Sequence, residues 1–187
     1  MSRAKTGRGR QFEELALPHL RALYGVAHQM VGRQGAEDLV QETYLRAWKY
    51  FDTFDPTTNC RAWLFRILRN VWADRWARRR LEIPLAENEM EGLEPYYDWE
   101  GEFLEPELSA RVEQALGELP EEYRWAVLLA DVEEFSYQEI AAVMGCPIGT
   151  VMSRLNRGRR MLARLLRAAV PERRDRGRPA VKDSEET

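Results

Sequence analysis

The chain has 187 residues, 44% of them apolar and 32% charged. That is long enough for two small folded domains and too apolar for a disordered chain. The formal net charge of −3 hides a segregation: residues 61–80 hold seven Arg against Asp74, residues 82–107 hold ten acids and no Lys or Arg, and residues 154–174 hold eight Arg against Glu172.

In chain order, residues 1–11 are polar and expected to be disordered. From Phe12 to Met30 the positions Phe12, Leu15, Leu23, Val26 and Met30 form a helical stripe that Pro18 should kink or break. Gly32 and Gly35 bracket a turn. Leu39, Val40, Thr43, Tyr44 and Ala47 then define a second amphipathic helix over 36–50, with Glu37 and Asp38 at its positive N-terminal end. Pro56 and its small polar neighbours make residues 51–59 a loop. A third, long helix runs over 61–80, its inner face Leu64, Ile67, Leu68 and Val71. Residues 82–106 combine prolines, glycines and acids, the composition of a linker.

The second half is again helical. Leu108, Val112, Ala115 and Leu119 form one stripe, and Pro120 opens the next helix through Ala130. Ser136-Tyr-Gln-Glu139 is a capping box for a short helix to Met144. A turn at Gly145 leads to a last helix from about Gly149 to Ala169. Residues 169–187 are charged and expected to be disordered. The fold class is therefore all-α, two small helical domains joined by an acidic flexible linker that few contacts should cross.

Two constellations carry chemistry. A short capped helix, a Gly turn and a helix opening Thr150-Val-Met-Ser-Arg-Leu-Asn-Arg157 have the layout of a helix-turn-helix. With Val151, Leu155 and Leu162 inward, Thr150, Met152, Ser153, Arg154, Asn156 and Arg157 face out, the group types that reach base edges and phosphates. In residues 59–80, Arg61, Arg66, Arg69, Arg75, Arg78, Arg79 and Arg80 interleave with Trp63, Phe65, Trp72 and Trp76. That pattern suits an unpaired strand, although for Trp63 and one of Trp72 or Trp76 a place in the core is the better reading. Outside these, His19 and His28 stand apart from any metal-spaced cluster, and there is no P-loop or nucleophile elbow. Neither an enzyme nor a cofactor is expected. Cys60 and Cys146, distant and without a Cys-x-x-Cys pair, suit a reducing cytosol. No apolar run of about 18 residues is present to span a membrane, and no apolar segment follows the charged start. A cytoplasmic protein without membrane insertion is expected.

Gly35-Ala-Glu-Asp-Leu-Val-Gln-Glu-Thr-Tyr-Leu-Arg-Ala-Trp48, Arg61-Ala-Trp-Leu-Phe-Arg-Ile-Leu-Arg-Asn70, Leu119-Pro-Glu-Glu-Tyr-Arg124, Phe135-Ser-Tyr-Gln-Glu-Ile-Ala141 and Gly149-Thr-Val-Met-Ser-Arg154 together resemble the group IV, extracytoplasmic-function sigma factors of RNA polymerase. The resemblance runs from Phe12 to Leu166. It implies sigma region 2 at 12–81 and sigma region 4 at 107–168. It further implies docking of Asp38, Gln41, Glu42, Arg46 and Trp48 on the clamp helices of the polymerase largest subunit, and of region 4 on the flap of the second-largest subunit. The −10 element, duplex and then melted, falls to Phe54, Asn59, Arg61, Asn70, Arg75, Arg78, Arg79 and Arg80. The −35 element falls to Thr150, Met152, Ser153, Arg154, Asn156, Arg157 and Arg159. Some members carry Arg in place of Met152 and an aromatic in place of Asn156. The resemblance also implies a stress-type regulon and an anti-sigma partner, and a linker that either mimics nucleic acid or simply tethers. The rival reading, a helix-turn-helix repressor binding duplex DNA alone, accounts for 136–160 but not for the Trp/Arg helix or the 38–48 motif.

Overall fold

A computed structural model describes residues 2–82 and 106–168, and for residues 2–6, 79–82, 106, 107 and 109 it describes the backbone alone. Within these, the chain is helical throughout: α1 (Ser2–Ala16), α2 (Leu20–Tyr50), α3 (Cys60–Glu82), α4 (Pro106–Gly117), α5 (Glu121–Val127), α6 (Tyr137–Met144) and α7 (Ile148–Ala168). The expected linker and C-terminal tail, beyond the ends of α3, α4 and α7, lie outside the described residues.

The punctuation residues act where their chemistry places them. Pro18, in the first 3-10 turn (Leu17–His19), separates α1 from α2, because it has no N–H to continue the helical ladder. Gly32, at φ 74° and ψ 173°, breaks α2 into two arms, a conformation that only Gly adopts without strain. A second 3-10 turn (Phe51–Thr53) and a turn closed by the Asp55 side chain carry the chain to α3. In the second half α5 runs on into a π-helical turn over Leu128–Val132, and Gly145 ends α6 in the left-handed region at φ 61°.

One expectation is corrected at the N-terminus. Residues 2–11 of the segment expected to be disordered belong to α1, and Phe12 on that helix is buried against Tyr44, Trp48 and Phe51. Arg8 lies 4.3 Å over the Trp48 ring and pairs with Asp52 at 2.8 Å. Among the described side chains, Arg10 and Gln11 are exposed on the outer face of a helix whose Arg8 and Phe12 contact α2.

The second difference concerns the two halves. They do not stand apart: α3 packs on α6, and α2 touches α4 and α5. Helix α3 has two apolar faces. At 100° per residue, Leu64, Leu68 and Val71 share one line while Phe65 and Trp72 lie roughly a quarter turn away. The second face meets the other half: Phe65 meets Phe135 edge-on at 5.2 Å, and Trp72 meets Trp125 edge-on at 5.8 Å. Trp125 is fully buried and Trp72 nearly so. Arg124, also buried, bridges the seam, donating to the carbonyls of Gly117 and Leu119 in its own half and of Gln29 at the end of the first arm of α2. Burial lowers its pKa, and the bound carbonyls stabilise the guanidinium that burial penalises.

Candidate nucleic-acid and polymerase interfaces

The helix-turn-helix is built by local chemistry. The Ser136 hydroxyl accepts from the Glu139 N–H at 3.3 Å, and the Glu139 carboxylate accepts from the Ser136 N–H at 2.9 Å and from its hydroxyl at 2.7 Å. These bonds, Ser136 first, hold the Glu139 carboxyl below its ordinary range. The capping box fixes the start of α6, and the left-handed turn at Gly145 lets α7 begin at Ile148 on a new axis.

On α7, Val151, Leu155 and Gly158 point into the core, and Met152, Ser153, Asn156, Arg157, Arg159 and Arg160 stand in solvent, with Thr150 and Arg154 half-buried. Of the six residues expected to face out, Met152, Ser153, Asn156 and Arg157 are exposed, while Thr150 and Arg154 are only partly so. Two of the arginines are already engaged. Arg154 donates to Glu122 at 2.8 Å, and Arg159 forms a two-pronged pair with Asp131, at 3.0 and 2.5 Å, which raises its pKa further. Arg157 makes no such bond among the described residues, so it and Asn156 are the most available groups on this face.

The first half separates into two surfaces. On the second arm of α2, Asp38, Gln41, Leu45 and Trp48 recur at three and four and are exposed, Leu45 by 64%. Leu45 is absent from the sequence-derived set. Its signal was an apolar residue inside an otherwise polar stripe. Glu42 and Arg46 lie at the edge of this stripe and are bound into a network instead. Arg46 donates to Glu42 at 2.8 Å and to Asp74 at 2.7 Å. Arg75 donates through Nε and Nη2 to Glu42, at 3.0 and 2.8 Å, and to the Asp38 carbonyl at 2.9 Å. The Arg75 bond, above all, holds the Glu42 carboxyl below its usual range. Arg75 thus joins α3 to α2, away from the role expected of it on DNA.

Along α3, Arg66, Asn70, Asp74 and Arg78 form an exposed stripe at every fourth position. The side chains of Arg79 and Arg80 lie outside the described residues. Phe54, expected to meet a base, is buried, tilted against Trp63 at 4.8 Å, and so supports the loop from below. Its rim lines a cleft with Arg8, Gln11, Phe51, Asp52 and Pro56. Trp63 packs on the core, and Trp72 stacks on Trp76 at 6.3 Å, so the tryptophans of α3 serve packing more than stacking on bases. Asn59 caps α3, accepting from the Ala62 N–H at 3.2 Å, while its amide donates to Glu139 at 2.6 Å. Arg61 lies 4.6 Å from the Phe135 ring and pairs with Glu133. Among the described residues, no group of three or more His, Cys, Asp or Glu could hold a metal, and no helix is long and apolar enough to cross a membrane.

Comparison with known proteins follows the same division. Residues 15–82 match Sigma-70 region 2, and residues 109–162 match Sigma-70 region 4. The ECF RNA polymerase sigma factor EcfG of Rhodopseudomonas palustris (strain TIE-1) is 40% identical over 152 residues, 81% of either chain. SigW of Bacillus subtilis (strain 168) is 32% identical over 157 residues, covering 78% of this chain and 83% of SigW. This chain belongs to the ECF sigma factors. Two solved structures have a similar fold. RpoE of Bartonella quintana, in complex with the anti-sigma factor NepR, superposes with a TM-score of 0.69 at 31% identity, over 86% of this chain and 99% of that one. CnrH, in complex with the cytosolic domain of CnrY, gives 0.65 at 31% identity, over 90% and 96%. As a sigma factor the chain is a transcription-initiation protein with DNA-binding helical domains; the region 2 match takes in α2 and α3, and the region 4 match runs from α4 into α7.

Proposed function

We propose that this sigma factor directs core RNA polymerase to promoters through both regions at once, for a stress-type regulon. Region 2 docks through Asp38, Gln41, Leu45 and Trp48 on the clamp helices of the largest subunit. It engages the −10 element through Asn59, Arg61, Asn70 and Arg78, first as duplex and then as melted strand. Region 4 reads the −35 element through Ser153, Arg154, Asn156 and Arg157, docked on the flap of the second-largest subunit. An anti-sigma protein, of the kind bound to RpoE of Bartonella quintana, completes the set of partners. The observation that supports this most directly is the outer face of α7: hydroxyl, amide and guanidinium groups stand in solvent one turn apart, on a helix whose other face is locked to a capped α6. The test is transcription by this chain with core polymerase on promoters with single-base changes in either element. Specific initiation that requires core supports the proposal. Specific binding of a palindromic duplex by the chain alone would make it a repressor instead.

A further inference from the structure

The outer face of α7 is not uniformly polar. Ile148, Met152, Asn156 and Arg160 recur at every fourth position and form one exposed row, beside the pair Ser153 and Arg157. From the start of the helix that row offers two apolar groups, then an amide, then a guanidinium. Ile148 is 41% exposed and Met152 53%. Met152 also lines a cleft with Tyr137 of α6, the buried Leu155, and Asn156. Around this apolar spot α7 carries six Arg and no acid, surroundings that suit a polyanion.

The order of the row decides what it can read. In a helix-turn-helix the first turns of the second helix reach base edges, and Met152 stands in the second turn of α7. A thioether has no hydrogen-bond donor and is only a weak acceptor, so it serves neither a phosphate nor a polar base edge. Of the four bases, only thymine presents an apolar group to the major groove, its C5 methyl. We propose that Met152 is a specificity-determining residue of the −35 reader: backed by Tyr137, it receives the methyl group of a thymine on one of the two strands. This rests on the assignment of α7 to the −35 element made above. The methyl leaves water on entering the cleft, and the flexible, polarisable Met side chain shapes itself to it. Cytosine in the same place lacks the methyl, and a purine brings polar atoms that Met152 leaves unpaired. Asn156 and Arg160, further along the row, remain for a base edge and a phosphate.

The test uses the full chain with core polymerase. Promoter duplexes with a randomised −35 element are selected for holoenzyme binding. In a selected promoter each −35 thymine, on either strand, is then replaced in turn by deoxyuridine, which lacks only the methyl. For wild type one thymine should be sensitive, its replacement weakening binding roughly fourfold, about 0.8 kcal/mol. Met152→Ala should bind the thymine and deoxyuridine promoters alike, and should lose the selection for thymine at that position alone. Met152→Leu, which keeps an apolar chain, should restore both. Circular dichroism should be unchanged in each variant, since Met152 is exposed. A deoxyuridine effect that persists in Met152→Ala would overturn the proposal, as would a selected −35 element with no sensitive thymine. Weaker core binding by Met152→Ala, with its thymine preference intact, would overturn it too and make Met152 a polymerase contact. Those three results leave α7 on the −35 element. Failure of the −35 assignment itself looks different and overturns both: no −35 base would be selected, and Arg157→Ala would bind every promoter as wild type does.

Discussion

Gly158 allows a quantitative test of how α7 is held. It is buried in the middle of that helix, and a Cβ added there would stand 2.9 Å from Val127 Cγ2 and 3.3 Å from both the Cβ and the carbonyl oxygen of Tyr123. Two effects of Gly158→Ala oppose each other. Removing a glycine from a helix interior gains about 0.8–1.0 kcal/mol. Forcing a methyl into a packed contact costs about 1–3 kcal/mol. The second should win, because Val127 is a stiff β-branched side chain with 2% exposure, and the Tyr123 oxygen is backbone and moves only with α5. The net loss should be about 1 kcal/mol, a fall in Tm of about 2–4 °C for a chain of this size. Gly25, exposed on α2 with nothing within 4 Å of its added Cβ, is the control: Gly25→Ala should raise Tm by a similar amount. Thermal unfolding of both variants followed by circular dichroism decides it. Should Gly158→Ala stabilise as much as Gly25→Ala, α5 and α7 do not approach as closely as described, and the packing argument for the reading helix fails.

Other perturbations follow from the site. Asp38→Arg or Gln41→Ala should weaken binding to core polymerase while leaving the helical dichroism unchanged, as both side chains are exposed; unaltered affinity in a titration with core would remove the α2 docking surface. Asn70→Ala should impair strand opening more than closed-complex formation, read by permanganate footprinting, since a base out of its stack must find a new partner. Arg154→Ala and Arg157→Ala should each cost about 1–3 kcal/mol at one base of the −35 element if the guanidinium forks on a guanine. If it holds phosphate, the loss should instead be uniform with a salt slope lower by about one unit; salt series of holoenzyme binding separate the two. Its bonds to Arg75 and Arg46 hold the Glu42 carboxyl below its ordinary range, so its contribution is present above the unfolded pKa and lost as pH falls through the lower folded value. Glu42→Gln should therefore flatten the acid limb of a stability-versus-pH curve, and an unchanged limb would show that the Arg75–Glu42–Arg46 network contributes nothing.

Helix positions were legible in the sequence where one residue type forces one backbone outcome. Pro18, Gly145 and the Ser136–Glu139 box each leave the chain a single inexpensive choice, and the helices start and stop beside them. The outward set on α7 was legible for a related reason: Val151 and Leu155 alone fix which side is in. The N-terminus misled because helix α1 has few apolar residues, and its order comes from contacts with Trp48 and Asp52, some 40 residues away, which no local pattern encodes. Likewise Arg75 and Arg78 look alike in sequence, yet one is tied to Glu42 and the other is exposed. A basic run counts charges and does not say which are already neutralised.

The seam between the halves shows where a one-stripe reading of a helix reaches its limit. An amphipathic pattern identifies one buried stripe, and in α3 the line of Leu64, Leu68 and Val71 satisfies it, leaving Phe65, Trp72, Arg61 and Arg69 as an apparent aromatic and basic surface. A surface of that composition fits a nucleic-acid strand, because aromatic faces accept bases and guanidinium groups accept phosphates. It fits equally well a second protein layer that offers aromatics and carboxylates in the same places, and region 4 offers Phe135, Trp125, Glu133 and Glu122. Both kinds of partner answer the same chemistry, so the residue types alone do not separate them. The mixed Trp/Arg face of α3 is neither plainly core nor plainly surface, so only its contacts, Phe65 on Phe135 and Arg61 on Glu133 among them, show what covers it.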